Sequence, residues 1–265
     1  MKKRIIALSL AVITLFGSTE SLFAWGKQGH QMVAEVTFSY LDAATKTKVL
    51  AALKNYTIEQ AATWMDDMRT NPQLQYLKSW HFVNMDKGKP YAPTTTDAVY
   101  QLNKAITALT LHRATLPPDT VQRDLFILFH LMGDLHQPLH VGYGSDYGGN
   151  KISVSAPGNT QDNLHHVWDD DVIANEKITP AMCIQMNKAY TPAQIKAIDQ
   201  VNVMTWLGQS RAYLTTNIYS FSGGTVGQGS TITQAYLDQA APVVEKQIGI
   251  AGLRLAAVLT AAFKN

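Results

Sequence analysis

His130 and Asp134 stand four residues apart in Phe129-His130-Leu131-Met132-Gly133-Asp134, and His165 and Asp169 repeat that spacing in His165-His166-Val167-Trp168-Asp169. Residues i and i+4 share one face of a helix, so each pair can bring an imidazole nitrogen and a carboxylate oxygen to one point. That donor set chelates a cation. It suits zinc best, with manganese and iron as the next choices. One such pair alone is more often an ordinary hydrogen bond on a helix surface. Two in one chain say more, and five of the eight histidines fall within 129–140 and 163–169, His140 among them.

The residues around His130 are apolar, so His130 and Asp134 are expected to be buried and to need a partner that water no longer supplies. A metal ion is the economical one. His112 reads as a surface residue, and His136 and His166 as neighbours that orient ligands. His165 and His166 are adjacent and either could be the ligand; the four-residue spacing to Asp169 favours His165. Cys183 is the only cysteine, which excludes an intramolecular disulfide, and it reads as a small buried apolar side chain.

Helices must position these groups. Apolar residues recur at helical spacing in Val33-Ala34-Val36-Thr37-Tyr40-Leu41, in Ala98-Leu102-Ala105-Ile106-Leu109, and in Leu125-Phe126-Leu128-Phe129-Met132. The pattern returns from Ile195 to Leu214 and from Ile232 to Phe263. Gly and Pro mark loops at 86–96, 142–158 and 222–230, and the alternation Lys151-Ile152-Ser153-Val154 in the second predicts a strand or hairpin arm. No linker or internal repeat divides the chain. The fold class expected is mainly α: a single-domain helical bundle over 25–265, with minor β-hairpin content in a loop.

Met1-Lys2-Lys3-Arg4 followed by the apolar run Ile5 to Phe16 has the pattern of a signal peptide, with cleavage expected after Ala24. The run is short for a membrane span. The protein is therefore expected to be exported, periplasmic or secreted, without stable membrane association after processing, and monomeric. Removing 1–24 leaves 19 Lys+Arg against 19 Asp+Glu, so the +2 of the whole chain becomes zero. A neutral protein has no general attraction for polyanions, and any affinity for nucleic acid has to come from a local patch or from bound cations.

Trp25-Gly26-Lys27-Gln28-Gly29-His30, Trp64-Met65-Asp66-Asp67-Met68-Arg69 and Trp80-His81-Phe82-Val83-Asn84 complete the pattern with the two His/Asp segments. Together they resemble the zinc-dependent single-strand-specific nucleases of fungi, plants and bacteria, the S1/P1-type nucleases. The resemblance covers nearly all of the chain after residue 24 and is tightest from Trp25 to Asp169. It implies three Zn2+ ions. Asp66, His81, His130 and Asp134 would hold one; Asp134, His30 and the main chain of Trp25 a second; His140, His165 and Asp169 the third.

The resemblance also implies the chemistry: single-stranded RNA and DNA, and nucleotides, as substrates, hydrolysed by attack of hydroxide on phosphorus. Asp66 and Asp134 serve that step through the metals, and Arg69 looks like the arginine that stabilises charge on the phosphorane. Phe82 resembles the residue on which a base stacks. Asn84 stands where fungal members have an aspartate that reads the base edge. Tyr147 and Asn150, flanking Gly148-Gly149, look like the opposite wall of that pocket. Two other readings compete. A zinc phospholipase C shares the helical fold, the N-terminal tryptophan and a three-zinc cluster, but its last ligand is usually glutamate where Asp169 stands. A non-catalytic exported zinc-binding protein would need neither Arg69 nor Phe82.

Overall fold

The computed structural model describes residues 25–264, so the predicted signal peptide lies outside the described residues. Helix α1 (Lys27–Tyr40) buries the stripe His30, Val33, Ala34, Val36 and Thr37. Helices α2 (Ala43–Leu53) and α3 (Ile58–Asp67) follow, each opened by a side-chain cap. At α3, Thr57 accepts from Gln60 N while the Gln60 side chain accepts from the Thr57 backbone, satisfying two donors that helix geometry leaves orphaned. A 3-10 segment, Pro72–His81, leads into the loop before α4 (Ala98–Thr107).

Helix α5 (Pro118–His136) runs through the centre, and every residue from Asp124 to His136 is buried. Helix α6 (Leu164–His166) passes through a π turn, Val167–Asp171, into α7 (Val172–Asn175). Helices α8 (Pro180–Asn187), α9 (Pro192–Ile198) and α10 (Val203–Tyr213) precede α11 (Gln234–Phe263), which packs along α1, α5 and α8. By length and composition α11 could cross a membrane, yet 78% of its most apolar window is buried inside the protein, which makes it a core helix.

Strand content is small and confined to the glycine-rich loops. β1 (Ser153–Ala156) pairs antiparallel with β2 (Asn159–Asn163), the hairpin that the alternation at 151–154 predicts. β3 (Ser220–Phe221) and β4 (Gly224–Thr225) form a second hairpin, and β5 (Ser230–Thr231) adds to β1 in parallel. The mainly α architecture is thus as expected, with two differences. The apolar pattern from Ile195 to Leu214 is two helices, because Asn202 caps Thr205 N and starts α10 afresh. The His165/Asp169 pair sits on one helical turn continued by a π turn rather than on a regular helix.

Candidate metal centre and adjoining pocket

The centre is assembled from six parts of the chain. His30 comes from the first turn of α1, Asp66 from the end of α3, His81 from the end of the 3-10 segment, and His130 and Asp134 from α5. His140 lies in the turn Pro138–Val141, and His165 and Asp169 in α6 and its π turn. Asp134 is central. Its Oδ2 lies 3.2 Å from His81 Nδ1 and 3.4 Å from His130 Nε2, while its Oδ1 lies 3.2 Å from His30 Nε2. Asp66 Oδ1 is 3.8 Å from His81 Nδ1 and 3.9 Å from His130 Nε2. Asp169 Oδ2 is 3.2 Å from His165 Nε2, and its Oδ1 is 3.9 Å from His140 Nε2. Three donor sets result, each with its atoms within 4.8 Å of one another: His30/His130/Asp134, Asp66/His81/His130 and His140/His165/Asp169.

Hydrogen bonds fix which nitrogen faces the centre. His130 Nδ1 is 2.7 Å from Ala62 O, His140 Nδ1 2.8 Å from His81 O, and His165 Nδ1 2.6 Å from Gly148 O. A carbonyl only accepts, so each Nδ1 carries a proton and each ring turns its Nε2 inward. His140 Nε2 and His165 Nε2 then face each other at 3.0 Å. Zinc–nitrogen bonds of about 2.0–2.1 Å would let one cation bind two nitrogens at this separation. Both nitrogens of His30, both oxygens of Asp134, Asp66 Oδ1 and His81 Nε2 are buried without a hydrogen-bond partner.

Burial sets the charge. It holds His30 and His81 well below the usual imidazole range and brings His130 down to about 3, so these rings are neutral and available as ligands. Burial also raises Asp134 and Asp169 well above the carboxylate range, and pushes Asp66 up to about 7 against the opposing pull of Arg69. An uncompensated buried charge costs several kcal/mol, against about 1.5–3 kcal/mol gained by burying a side chain such as Leu128 or Phe129. Three carboxylates among neutral imidazoles therefore call for a cation, which would restore their ionised form. The residues present fit a group of divalent metal ions.

A cavity of about 310 Å³ opens beside these donors, and Arg69, Phe82, Asn84, Tyr147 and Asn150 line it together with His81, His140 and His165. The sequence-predicted substrate residues are thus brought to one place. Arg69, in the 3-10 turn after α3, directs Nη1 to within 3.6 Å of Asp66 Oδ1. Tyr147 adopts left-handed backbone torsions and packs its ring under Lys151 Nζ at 4.1 Å. Gly148 that follows has φ +61°, and a Cβ there would lie 2.2 Å from Leu139 O. Only glycine lets Gly148 O reach His165. Lys78 also lines the cavity, a basic residue that its surroundings in the sequence do not single out.

Trp25 is fully buried, and Gly26 N donates to Asp169 O at 3.1 Å, which brings the start of the described chain to the third donor set. At Gly133 a Cβ would meet His30 Nδ1 at 2.6 Å and Trp25 Cδ1 at 3.6 Å, so α5 is cut back where these two side chains pass. Two expectations fail. His136 gives its Nδ1 proton to Met132 O and accepts from Arg254, and His166 faces Asp162, Asp170 and Asp171, so neither orients a donor of the centre. The orienting groups are instead main-chain carbonyls and Gln137, whose Nε2 donates to Asp169 Oδ1 at 2.6 Å. His112 is exposed and Cys183 buried, its thiol pushed up to about 12 by desolvation, as their sequence contexts imply.

Comparison with known proteins agrees with this geometry. Residues 25–264 match the S1/P1 Nuclease family. Endonuclease 3 of Arabidopsis thaliana is 27% identical over 96% of this chain and 94% of its own length. Nuclease S1 of Aspergillus oryzae is 24% identical over 97% and 96%, and Nuclease P1 of Penicillium citrinum 26% over 88% and 95%. The match runs through every segment that contributes a donor or a wall of the cavity, and with it the chain belongs to the S1/P1 nuclease family of metal-dependent enzymes that hydrolyse phosphodiester bonds.

Proposed function

We propose that the chain is an exported nuclease with one catalytic domain over 25–265 and three zinc ions, which hydrolyses single-stranded RNA and DNA to 5′-phosphomononucleotides, and 3′-nucleotides to nucleosides and phosphate. The observation that carries this reading is the position of the three His/Asp donor sets beside a cavity lined by both an arginine and an aromatic ring. Asp66, His81, His130 and Asp134 would hold one ion; Asp134, His30 and Trp25 a second; His140, His165 and Asp169 a third. Bound zinc supplies Lewis acidity to phosphoryl oxygens and makes water acidic enough to act as a nucleophile near neutral pH.

The chain's own residues do the rest. Water adds to phosphorus, the P–O3′ bond breaks, and the 3′-oxygen leaves as a hydroxyl, with the phosphate retained on the 5′ side. Arg69 is placed to donate to the phosphoryl oxygens as negative charge accumulates on them. Phe82 offers a face on which a base can stack, bounded by Asn84 on one side and Tyr147 and Asn150 on the other. Stacking there requires a base already out of a duplex, and this favours single strands.

Arg69→Ala is expected to lower kcat by about 10²–10³-fold with zinc content unchanged, since a donor that acts on developing charge contributes to the transition state and not to metal affinity. Steady-state kinetics paired with metal analysis checks this, and equal losses of rate and zinc would make Arg69 structural. Phe82→Ala removes a stacking contact worth about 1–3 kcal/mol and should raise KM for a dinucleotide by about 5- to 150-fold with a smaller change in kcat.

Zinc quantification on the natively exported protein, together with a product assay, tests the whole reading. Three zinc equivalents and 5′-phosphomononucleotides from single-stranded RNA are expected. Release of phosphocholine from lipid micelles in their place would establish a phospholipase, and a fully metallated protein that cleaves neither would be a zinc binder.

A further inference from the structure

A second cavity, of about 510 Å³, lies among α9, α10 and α11 and shares no lining residue with the one beside the metal centre. Tyr190, Gln194, Gln209, Tyr213, Lys246 and Arg254 line it, and no carboxylate does. Arg254 is only 4% exposed. Its Nη1 donates to His136 Nε2 at 2.7 Å, its Nη2 donates to Gln209 Oε1, and its guanidinium stacks on Trp206 at 5.2 Å. The Nε–H remains buried without an acceptor.

His136 does not balance this charge. Its Nδ1–H donates to Met132 O, and its Nε2 is the acceptor of the Arg254 N–H, so the ring contributes an acceptor and no negative charge. Among the described residues, neither Arg254 nor Lys246 has a carboxylate in ion-pair contact. Lys246 is exposed at the cavity rim, with Nζ 6.0 Å from the centroid of the Tyr213 ring. A buried cation without a counter-charge, a second cation at the mouth, and amides and phenols around them form a donor-rich concavity of a size that suits a small ligand.

We infer that this cavity is a second ligand site, distinct from the metal centre, for an anion that carries a phosphate group. Phosphate supplies what the cavity lacks: several acceptor oxygens and a charge matched by one guanidinium and one ammonium. Tyr190 and Tyr213 line the cavity, and a tyrosine ring can stack on a planar base, so free phosphate and a mononucleotide are the two sources to be separated.

Equilibrium dialysis of the zinc-loaded protein, with labelled inorganic phosphate and separately with adenosine 5′-monophosphate, provides the test. Two classes of site are expected for at least one of the two probes, one weakened by Phe82→Ala and the other by Lys246→Met. Lys246→Met is expected to weaken its site about tenfold while hydrolysis of a dinucleotide stays unchanged. Tighter binding of the nucleotide than of phosphate at that site would assign a mononucleotide, and equal affinities would assign free phosphate. Arg254→Met should abolish the site, and if that variant does not fold, Lys246→Met and Gln209→Ala decide the matter. A single class of site for both probes, or two classes neither of which responds to Lys246→Met, overturns the inference.

Discussion

Asp134→Asn is expected to remove two zinc equivalents and to lower kcat/KM by about 10⁴-fold or more. The two Asp134 oxygens point to different partners, one to His30 and the other to His81 and His130. An amide keeps one weak acceptor and turns a donor toward the other metal position, so neither paired site retains a charged ligand. If each lost cation forfeits about 2.7–4 kcal/mol of charge stabilisation in the transition state, the two together account for a factor of this size.

The stability of the variant separates loss of metal from loss of fold. Burial favours the neutral form of Asp134 in the metal-free protein, so replacing it with a neutral amide of similar shape should leave the melting temperature of that protein unchanged or slightly higher. An ion at 100 times its Kd stabilises by about 2.7 kcal/mol. With about 2–4 °C of Tm per kcal/mol for a domain of this size, the wild type should gain roughly 10–20 °C from the two ions that the variant no longer binds. Scanning calorimetry with and without zinc reads this difference, and a variant that still gains the full increment would show that Asp134 is not the shared ligand.

A protein made with Ala24 retained, or with one residue added before Trp25, is expected to lose one zinc equivalent and about 10²–10³-fold in activity. The free α-amine becomes an amide nitrogen, which has no lone pair to give a metal, and its contribution to the centre is of the order of one transition-state interaction. Trp25 is buried against α5, and a Cβ at Gly26 would lie 1.5 Å from Asp170 Oδ1, so the chain has little freedom to shift and compensate. An α-amine has a pKa of about 7.7–8.0 and binds metal only after losing its proton. Affinity for the second ion in the processed protein should therefore fall about tenfold per pH unit below that value through this group alone, and the extended protein should lack that component. Metal titrations at pH 6.5 and 8.5 on both forms make the comparison, and full zinc content in the extended form would exclude Trp25 as a ligand.

The parts of the centre legible in the sequence are those that local geometry dictates. The spacing of His130 and Asp134 on α5 and the apolar residues around them foretell a shared face and burial, and both are present. The residues that line the cavity were legible through resemblance, because Phe82, Asn84, Tyr147 and Asn150 come from separate loops whose meeting no periodicity encodes. His136 misled for the opposite reason. It sits two residues from Asp134 and looks like a neighbour of the centre, yet a two-residue step on a helix turns a side chain by about 200°, so it meets Arg254 from α11 instead. Ala62, His81 and Gly148 hold the ligands through carbonyl oxygens, which every residue type carries, so no letter of the sequence marks them.

The use of carbonyls as the orienting groups bears on how freely the surrounding sequence can drift. A side-chain partner is lost by one substitution, whereas the acceptors at Ala62 and His81 survive any replacement that preserves the path of the main chain. At those two positions the aim of His130 and His140 is inherited from backbone conformation, and residue identity matters only for other reasons. Gly148 is the exception: any Cβ there collides with Leu139 O, so the orientation of His165 rests on the side chain that this residue does not have.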